Sequence, residues 1–197
     1  EWLVQSGVTV AVGHTMATYD EAREAFASGA SVLTHAFNAM LPITSREPGP
    51  VMAAIDSGVT IELIADGNHV HPSNVNMLFR EAPGRIALVS DSMPAAGLGD
   101  GSFQLGGFDV TVVDSIARTT NGAIAGSTLT LSQAVHNIVS WGVSASEALL
   151  AAVEVPRAAY SQPLPLLAPG EPADFLIWSD SMQPTHVVRG GVATPLS

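Results

Sequence analysis

The 197 residues suffice for one good core with at most a small satellite module, and 47% hydrophobic against 13% charged residues excludes a disordered polymer. Eighteen acids against seven bases, a formal net charge of −11, leave no basic cluster to neutralise phosphates, so nucleic acid is excluded as a partner. The lack of cysteine excludes disulfides and thiol catalysis, and leaves histidine and carboxylate as the metal donors.

Glu1 stands where a methionine is usual, and Trp2-Leu3-Val4 reads as the middle of an amphipathic helix without a cap. Both predict that the sequence begins inside a longer protein. From there to about residue 155, short β-branched runs alternate with helical patterns, the signature of βα units on a parallel sheet. Residues 8–12 read as a strand ending at Gly13-His14, and Thr18 with Glu21 forms a capping box that opens a helix with Ala22, Ala25 and Phe26 on one face. Residues 31–34 are a second strand, ending at His35. A helix over 50–57, closed by Gly58, leads to a third strand over 59–65 and Asp66. Pro72 starts a helix carrying Val75, Leu78 and Phe79, and 86–90 is a fourth strand ending at Asp91. Helices are expected at about 127–141 and 144–154, the second capped by Ser144 with Glu147. Residues 103–111, around Gly106-Gly107, read as a hairpin. Residues 174–178 and 187–192 read as strands of a small β-module.

His14, His35, Asp66 with His69, and Asp91 thus all fall just past the C-terminal ends of successive strands. A (β/α)8 barrel builds its chemistry on that rim. Four or five barrel strands can be counted, against the eight of a complete barrel. The fold expected is α/β: part of a TIM-type (β/α)8 barrel over 1–157, followed by strands of a small β-sandwich module over 158–197. No run is long enough to span a bilayer and no signal peptide is visible, so no membrane partner and a cytoplasmic location are expected.

Two imidazoles on neighbouring strand ends suit zinc or iron, but spacing alone equally allows two histidines held by backbone carbonyls. Asp91 follows the apolar Ile86-Ala87-Leu88-Val89-Ser90 and can serve as a proton carrier beside an activated water, or as a helix N-cap. His69-Val70-His71 superficially matches a metal-binding His-x-His pair. Strand alternation would send the two rings to opposite faces, so His69 is assigned to the site and His71 to a loop or cap. Arg46 carries a planar fork suited to phosphate, though on the residues alone a pair with Glu47 or Glu62 is favoured. Ala125-Gly126-Ser127-Thr128 opens a helix in this reading, leaving backbone N–H groups for a substrate oxygen.

In order, Val12-Gly13-His14-Thr15, Thr34-His35-Ala36-Phe37-Asn38-Ala39-Met40, Arg46-Glu47-Pro48-Gly49, Ile64-Ala65-Asp66-Gly67-Asn68-His69-Val70, Leu88-Val89-Ser90-Asp91 and Ala125-Gly126-Ser127-Thr128-Leu129-Thr130 resemble the N-acetylglucosamine-6-phosphate deacetylases, a family of metal-dependent amidohydrolases. The resemblance covers nearly the whole chain, and the stretch from His35 to Gly49 is its specific part. It implies that His14 and His35 bind the catalytic divalent metal, zinc or iron, and that Asp91 is general base and then acid. Asn38, Ala39 and Arg46 would hold the sugar phosphate, with Arg46 reaching the neighbouring site of a homodimer. His69 would orient the sugar or polarise the carbonyl, and Ile124, Ala125 and Gly126 would contact the substrate through their backbone. The reaction implied is hydrolysis of the acetamide of N-acetylglucosamine 6-phosphate by a metal-activated water, giving acetate and glucosamine 6-phosphate.

Two departures stand out. No segment matches the family's upstream metal-binding glutamate, and Glu47 and Glu62 lie in the wrong contexts to replace it, so weak metal binding and little turnover are expected of this stretch alone. The run Val155-Pro156-Arg157-Ala158 and Tyr160, with a shortened 161–170 connection, bears on how the β-module docks. The rival readings are another amidohydrolase, such as an N-acetylgalactosamine-6-phosphate deacetylase or a dihydroorotase-like enzyme, and a non-catalytic fragment that keeps the fold.

Overall fold

The structure, a computed structural model, describes residues 1–162 and 167–196. After a single turn of helix, α1 (Trp2–Gln5), the chain lays down β1 (Ala11–Val12), β2 (Val32–Leu33), β3 (Thr60–Leu63) and β4 (Ile86–Leu88), which pair in that order as a four-stranded parallel sheet. Between them run α2 (Tyr19–Ala27), α3 (Gly49–Ser57) and α4 (Pro72–Glu81). In register, Leu33 lies beside Ile61 and Leu63 beside Leu88. Strand alternation therefore gathers Leu33, Ile61, Leu63, Ile86 and Leu88 on one face. There they are buried in one cluster with Phe26, Val51, Val75 and Leu78 of the helices. Each such side chain contributes about 1.5–3 kcal/mol by leaving water. The other face carries Val32, Glu62 and Ala87, all buried.

The parallel strands are shorter than the 8–12, 31–34, 59–65 and 86–90 expected. Ladder bonds continue one residue beyond them, from the Thr34 amide to Val12 and from the Val89 amide to Leu63. Left-handed backbone at His14 and His35, with φ of 43° and 23°, then turns β1 and β2 out of the ladder.

After β4 comes an antiparallel sheet of β5 (Gly101–Leu105), β6 (Phe108–Val113) and β7 (Ile116–Thr119). Its first turn is the expected Gly106-Gly107, and its third strand is additional. It folds over a small core of Met93, Ala95, Val110, Val112 and Ala117. Then follow α5 (Leu131–Ser140) and α6 (Ala145–Ala159). α5 starts four residues later than the expected 127, because the Thr130 hydroxyl accepts the Gln133 amide and so fixes the N-cap there.

The last sheet is β8 (Phe175–Trp178), β9 (Pro184–Arg189) and β10 (Val192–Pro195). The strand expected over 187–192 is in fact two strands. Gly190 and Gly191, both at positive φ, make the two-residue hairpin turn between Arg189 and Val192. Residues 163–166 of the shortened connection lie outside the described residues. Among the described residues no helix is long and apolar enough to cross a membrane.

Candidate active site

The ends of β1 and β2 approach closely because residue 13 is glycine: a Cβ there would lie 2.6 Å from the Thr34 Cβ. Beyond them, Thr15 and Met40 form a parallel bridge that draws the two loops together. The His14 and His35 rings consequently meet edge to face, with centroids 4.7 Å apart and planes at 72°. His35 is buried, yet its Nδ1 has no hydrogen-bond partner among the described residues. A buried polar nitrogen without a partner is unfavourable and uncommon in a folded protein. Two adjoining imidazoles, one with an orphaned nitrogen, fit a divalent ion that takes nitrogen donors. Among the described residues no group of three or more His, Asp or Glu could hold a metal ion, so Asp91 does not join this pair as a third donor. Asn38 donates its amide to the carbonyls of His35 and Ala36, at 3.3 and 3.0 Å, and so shapes the loop beneath them.

After β3 the chain turns on an Asp66 cradle. Asp66 Oδ1 accepts the Asn68 and His69 amides, both at 2.8 Å, while Oδ2 lies 2.6 Å from His69 Nδ1. Burial pushes the Asp66 carboxyl up, but the bonds from His69 ring and backbone and from the Asn68 amide outweigh it and hold the group below the usual carboxylate range. An ionised Asp66 accepts a hydrogen bond from Nδ1–H, which leaves Nε2 as the ring nitrogen open to a ligand. Asn137 of α5 fixes this corner from behind by donating to the Ala65 carbonyl at 2.9 Å. His71, by contrast, is the N-cap of α4, accepting the Ser73 amide.

Asp91 is exposed and sits at φ 49°, and its carboxylate makes no hydrogen bond or ion pair with the described residues. It caps no helix. Its backbone is bound instead: Ser127 donates its amide to the Asp91 carbonyl at 2.7 Å. Gly126, at φ 62°, is required here, since a Cβ would lie 3.1 Å from the Asp91 carbonyl oxygen and 3.0 Å from the Met93 Cβ.

The segment around Ile124, Ala125 and Gly126 does not open a helix, contrary to the sequence reading. The Ala125 amide donates to Ala117 and the Ile124 backbone bridges to Arg118, because these residues continue the β7 hairpin before the chain reaches α5. The pairing of Arg46 with Glu47 or Glu62 is also absent. Glu47 accepts the Tyr19 and Gly49 amides, and Glu62 accepts the Tyr160 hydroxyl. A turn closed by Thr44 and Glu47 presents Arg46 exposed at its tip, and Ala39 lies exposed at φ 50° on the same connection from β2 to α3.

Of the nine non-glycine residues at positive φ among those described, five, His14, His35, Phe37, Ala39 and Asp91, lie on these loops, while Asp114, Ser115, Ser161 and Met182 lie elsewhere. Such conformations persist where surrounding structure enforces them, and they cluster at functional sites. The residues not anticipated are Ser127 and Asn137, both polar groups bonded to rim backbone. A serine after glycine and a mid-helix asparagine carry no local signal of such partners.

The chain can be set beside known proteins. The amidohydrolase family profile matches residues 4–194. An N-acetylgalactosamine-6-phosphate deacetylase of Escherichia coli O157:H7 is 43% identical over 149 residues, 75% of this chain and 40% of its own. An N-acetylglucosamine-6-phosphate deacetylase of Vibrio furnissii is 38% identical over 141 residues, 71% of this chain and 35% of its own. A solved N-acetyl-D-glucosamine-6-phosphate deacetylase of Mycobacterium smegmatis, bound to N-acetyl-D-glucosamine-6-phosphate, superposes with a TM-score of 0.92 at 40% identity. That match takes in 97% of this chain and 52% of the solved one, so the chain spans about half the length of that relative and less of the two curated ones. With the profile covering the strands, the rim and the closing sheet alike, the chain belongs to the amidohydrolase family.

Proposed function

We propose that the protein carrying this chain removes the acetyl group of N-acetylglucosamine 6-phosphate by hydrolysis, in the cytoplasm, giving acetate and glucosamine 6-phosphate. The observation that carries the reading is the His14–His35 pair, with its orphaned Nδ1, on the same sheet rim as the unpartnered Asp91 carboxylate. The parallel sheet is then an arc of a (β/α)8 barrel within 1–157, and 158–197 supplies strands of the small β-module.

His14 and His35 would hold a divalent ion, zinc or iron, which when bound supplies Lewis-acid polarisation and a more acidic water. Asp91 takes a proton from the attacking water and returns it to the departing amine, a role for which a carboxylate without protein partners is free. His69, held at Nδ1 by Asp66, turns its other ring nitrogen to the substrate and orients the sugar or polarises the scissile carbonyl. Arg46 gives the phosphate a two-pronged partner in an otherwise acidic chain, in its own site or in that of a second subunit of a homodimer. Asn38, Ala39 and the backbone of Ile124, Ala125 and Gly126 line the sugar.

A second reading, N-acetylgalactosamine 6-phosphate as substrate, rests on the Escherichia coli relative at 43% identity, a figure that does not separate the two sugars, since an N-acetylglucosamine-6-phosphate deacetylase of Lysinibacillus sphaericus is 42% identical. The test is acetate release by the full-length protein carrying this sequence, with both epimers, alongside its bound metal content. We expect near-stoichiometric zinc or iron, and a loss of turnover of about a thousandfold in Asp91→Asn. His35→Ala should lose the ion. A wild-type protein that retains no ion, or a His35→Ala variant that keeps it fully, rejects the assignment; the ratio of kcat/KM for the two sugars decides the epimer.

A further inference from the structure

Resting on the assignment of Asp91 as proton carrier, we infer that Ser127 is the positioning residue for Asp91: its hydroxyl locks the peptide plane from which that side chain projects. Asp91 has a left-handed φ of 49° and no side-chain partner among the described residues, so its backbone sets the direction from which the carboxylate projects. Three contacts from Ser127 bracket it. The hydroxyl donates to the Ser90 carbonyl, the Ser127 amide donates to the Asp91 carbonyl at 2.7 Å, and the Ser127 carbonyl accepts the Met93 amide at 3.0 Å.

The first of these is the informative one. The Ser90 carbonyl belongs to the same rigid peptide unit as the Asp91 amide, so rotating that unit changes ψ of Ser90 and φ of Asp91 together. Binding the carbonyl therefore holds the left-handed φ directly, a conformation that sterics disfavour for an aspartate left to itself. The two backbone contacts would survive Ser127→Ala; the contact to Ser90 would not. The same hydroxyl accepts the Leu129 amide at 3.0 Å, and the Leu129 side chain sits in the main core, so the clamp is fixed to the packed body of the protein. Ser127 is itself only 3% exposed. Gly126 allows the close approach by presenting no Cβ to the Asp91 carbonyl. Ser127 thus joins the proton carrier to the 124–126 segment assigned to the sugar, and both sides of the reaction share one clamp.

The experiment uses the full-length, metal-loaded protein carrying this sequence. Ser127→Ala should lower kcat about a hundredfold, the scale expected when a reacting group is displaced by about 1 Å, with KM within about threefold of wild type and bound metal unchanged. Ser127→Thr, which restores the hydroxyl, should recover most of the loss. Amide exchange at Met93 and Leu129, which donate to the Ser127 carbonyl and hydroxyl, should quicken in Ser127→Ala while that of β3 stays as it was. A wild-type kcat in Ser127→Ala overturns the inference, as does a loss that merely follows the fraction of folded protein. Asp91→Asn separates the two claims. If it still turns over, the proton-carrier assignment fails; if it is dead while Ser127→Ala is fully active, only the role of Ser127 fails.

Discussion

At the scale of single residues, Asp66 and His69 couple structure to pH. The Asp66 carboxylate gathers two amides and the His69 ring in one cradle, and its proton affinity is depressed by them. A depressed folded pKa contributes stability that is complete above the ordinary carboxylate range and is lost as pH falls through the lower folded value. Asp66→Asn should therefore remove part of the acid-side fall in unfolding free energy, seen as a flatter stability profile below the ordinary carboxylate pKa. It should also lower kcat by about 10- to 100-fold with KM nearly constant, the usual result of removing a group that orients a working imidazole. An unchanged kcat would separate His69 from the chemistry. The sequence placed His14, His35, His69 and Asp91 correctly at strand ends, because strand-to-helix alternation is a strong periodic signal. It could not reveal positive φ at His14, His35 or Asp91, a conformation that no local pattern announces.

At the scale of elements, what is local was readable. The Thr18 and Glu21 capping box forms as expected, with the Thr18 amide on Glu21 Oε2 at 2.8 Å and the Thr18 hydroxyl accepting the Glu21 amide at 3.4 Å. Ser144 likewise accepts the Glu147 amide at the start of α6. The start of α5 was misplaced because 125–128 is claimed by tertiary partners, Ala117 for one amide and Asp91 for another, which no local pattern announces. Long-range bonds thus decided where local propensity was ambiguous. Thr18→Ala removes the cap at the entry to α2, which packs against α3 beside the rim loops. We expect about 1 kcal/mol of lost stability, read as a lower midpoint in denaturant with an unchanged slope. Since the cap touches none of the site residues, kcat should stay at its wild-type value.

At the scale of the whole molecule, one contact spans 98 residues: the Tyr160 hydroxyl, at the C-cap of α6, donates to Glu62 Oε1 of β3 at 2.7 Å. Glu62 is a carboxylate on the buried face of the sheet opposite the main core, and Tyr160 gives it a protein donor there. An unpartnered buried carboxylate would be strongly unfavourable, so the helix end and the strand are held together by a mutual need. Burial and the adjoining Glu62 push the Tyr160 hydroxyl up to about 12 from the ordinary 10.0. A folded pKa raised above the unfolded one gives stability that is complete below the unfolded value and lost as pH rises through the folded one. The protein should accordingly weaken between the ordinary tyrosine pKa and about pH 12. Tyrosinate absorbance read during alkaline titration should show the Tyr160 proton leaving late, close to unfolding. Tyr19, the other tyrosine, is also shifted upward, by its bond to Asp56, so the two must be separated by Tyr160→Phe. That variant should lose the later phase and be less stable at neutral pH, because Glu62 is left without its donor. If the late phase persists in Tyr160→Phe, the tether between α6 and β3 contributes nothing to the alkaline limit.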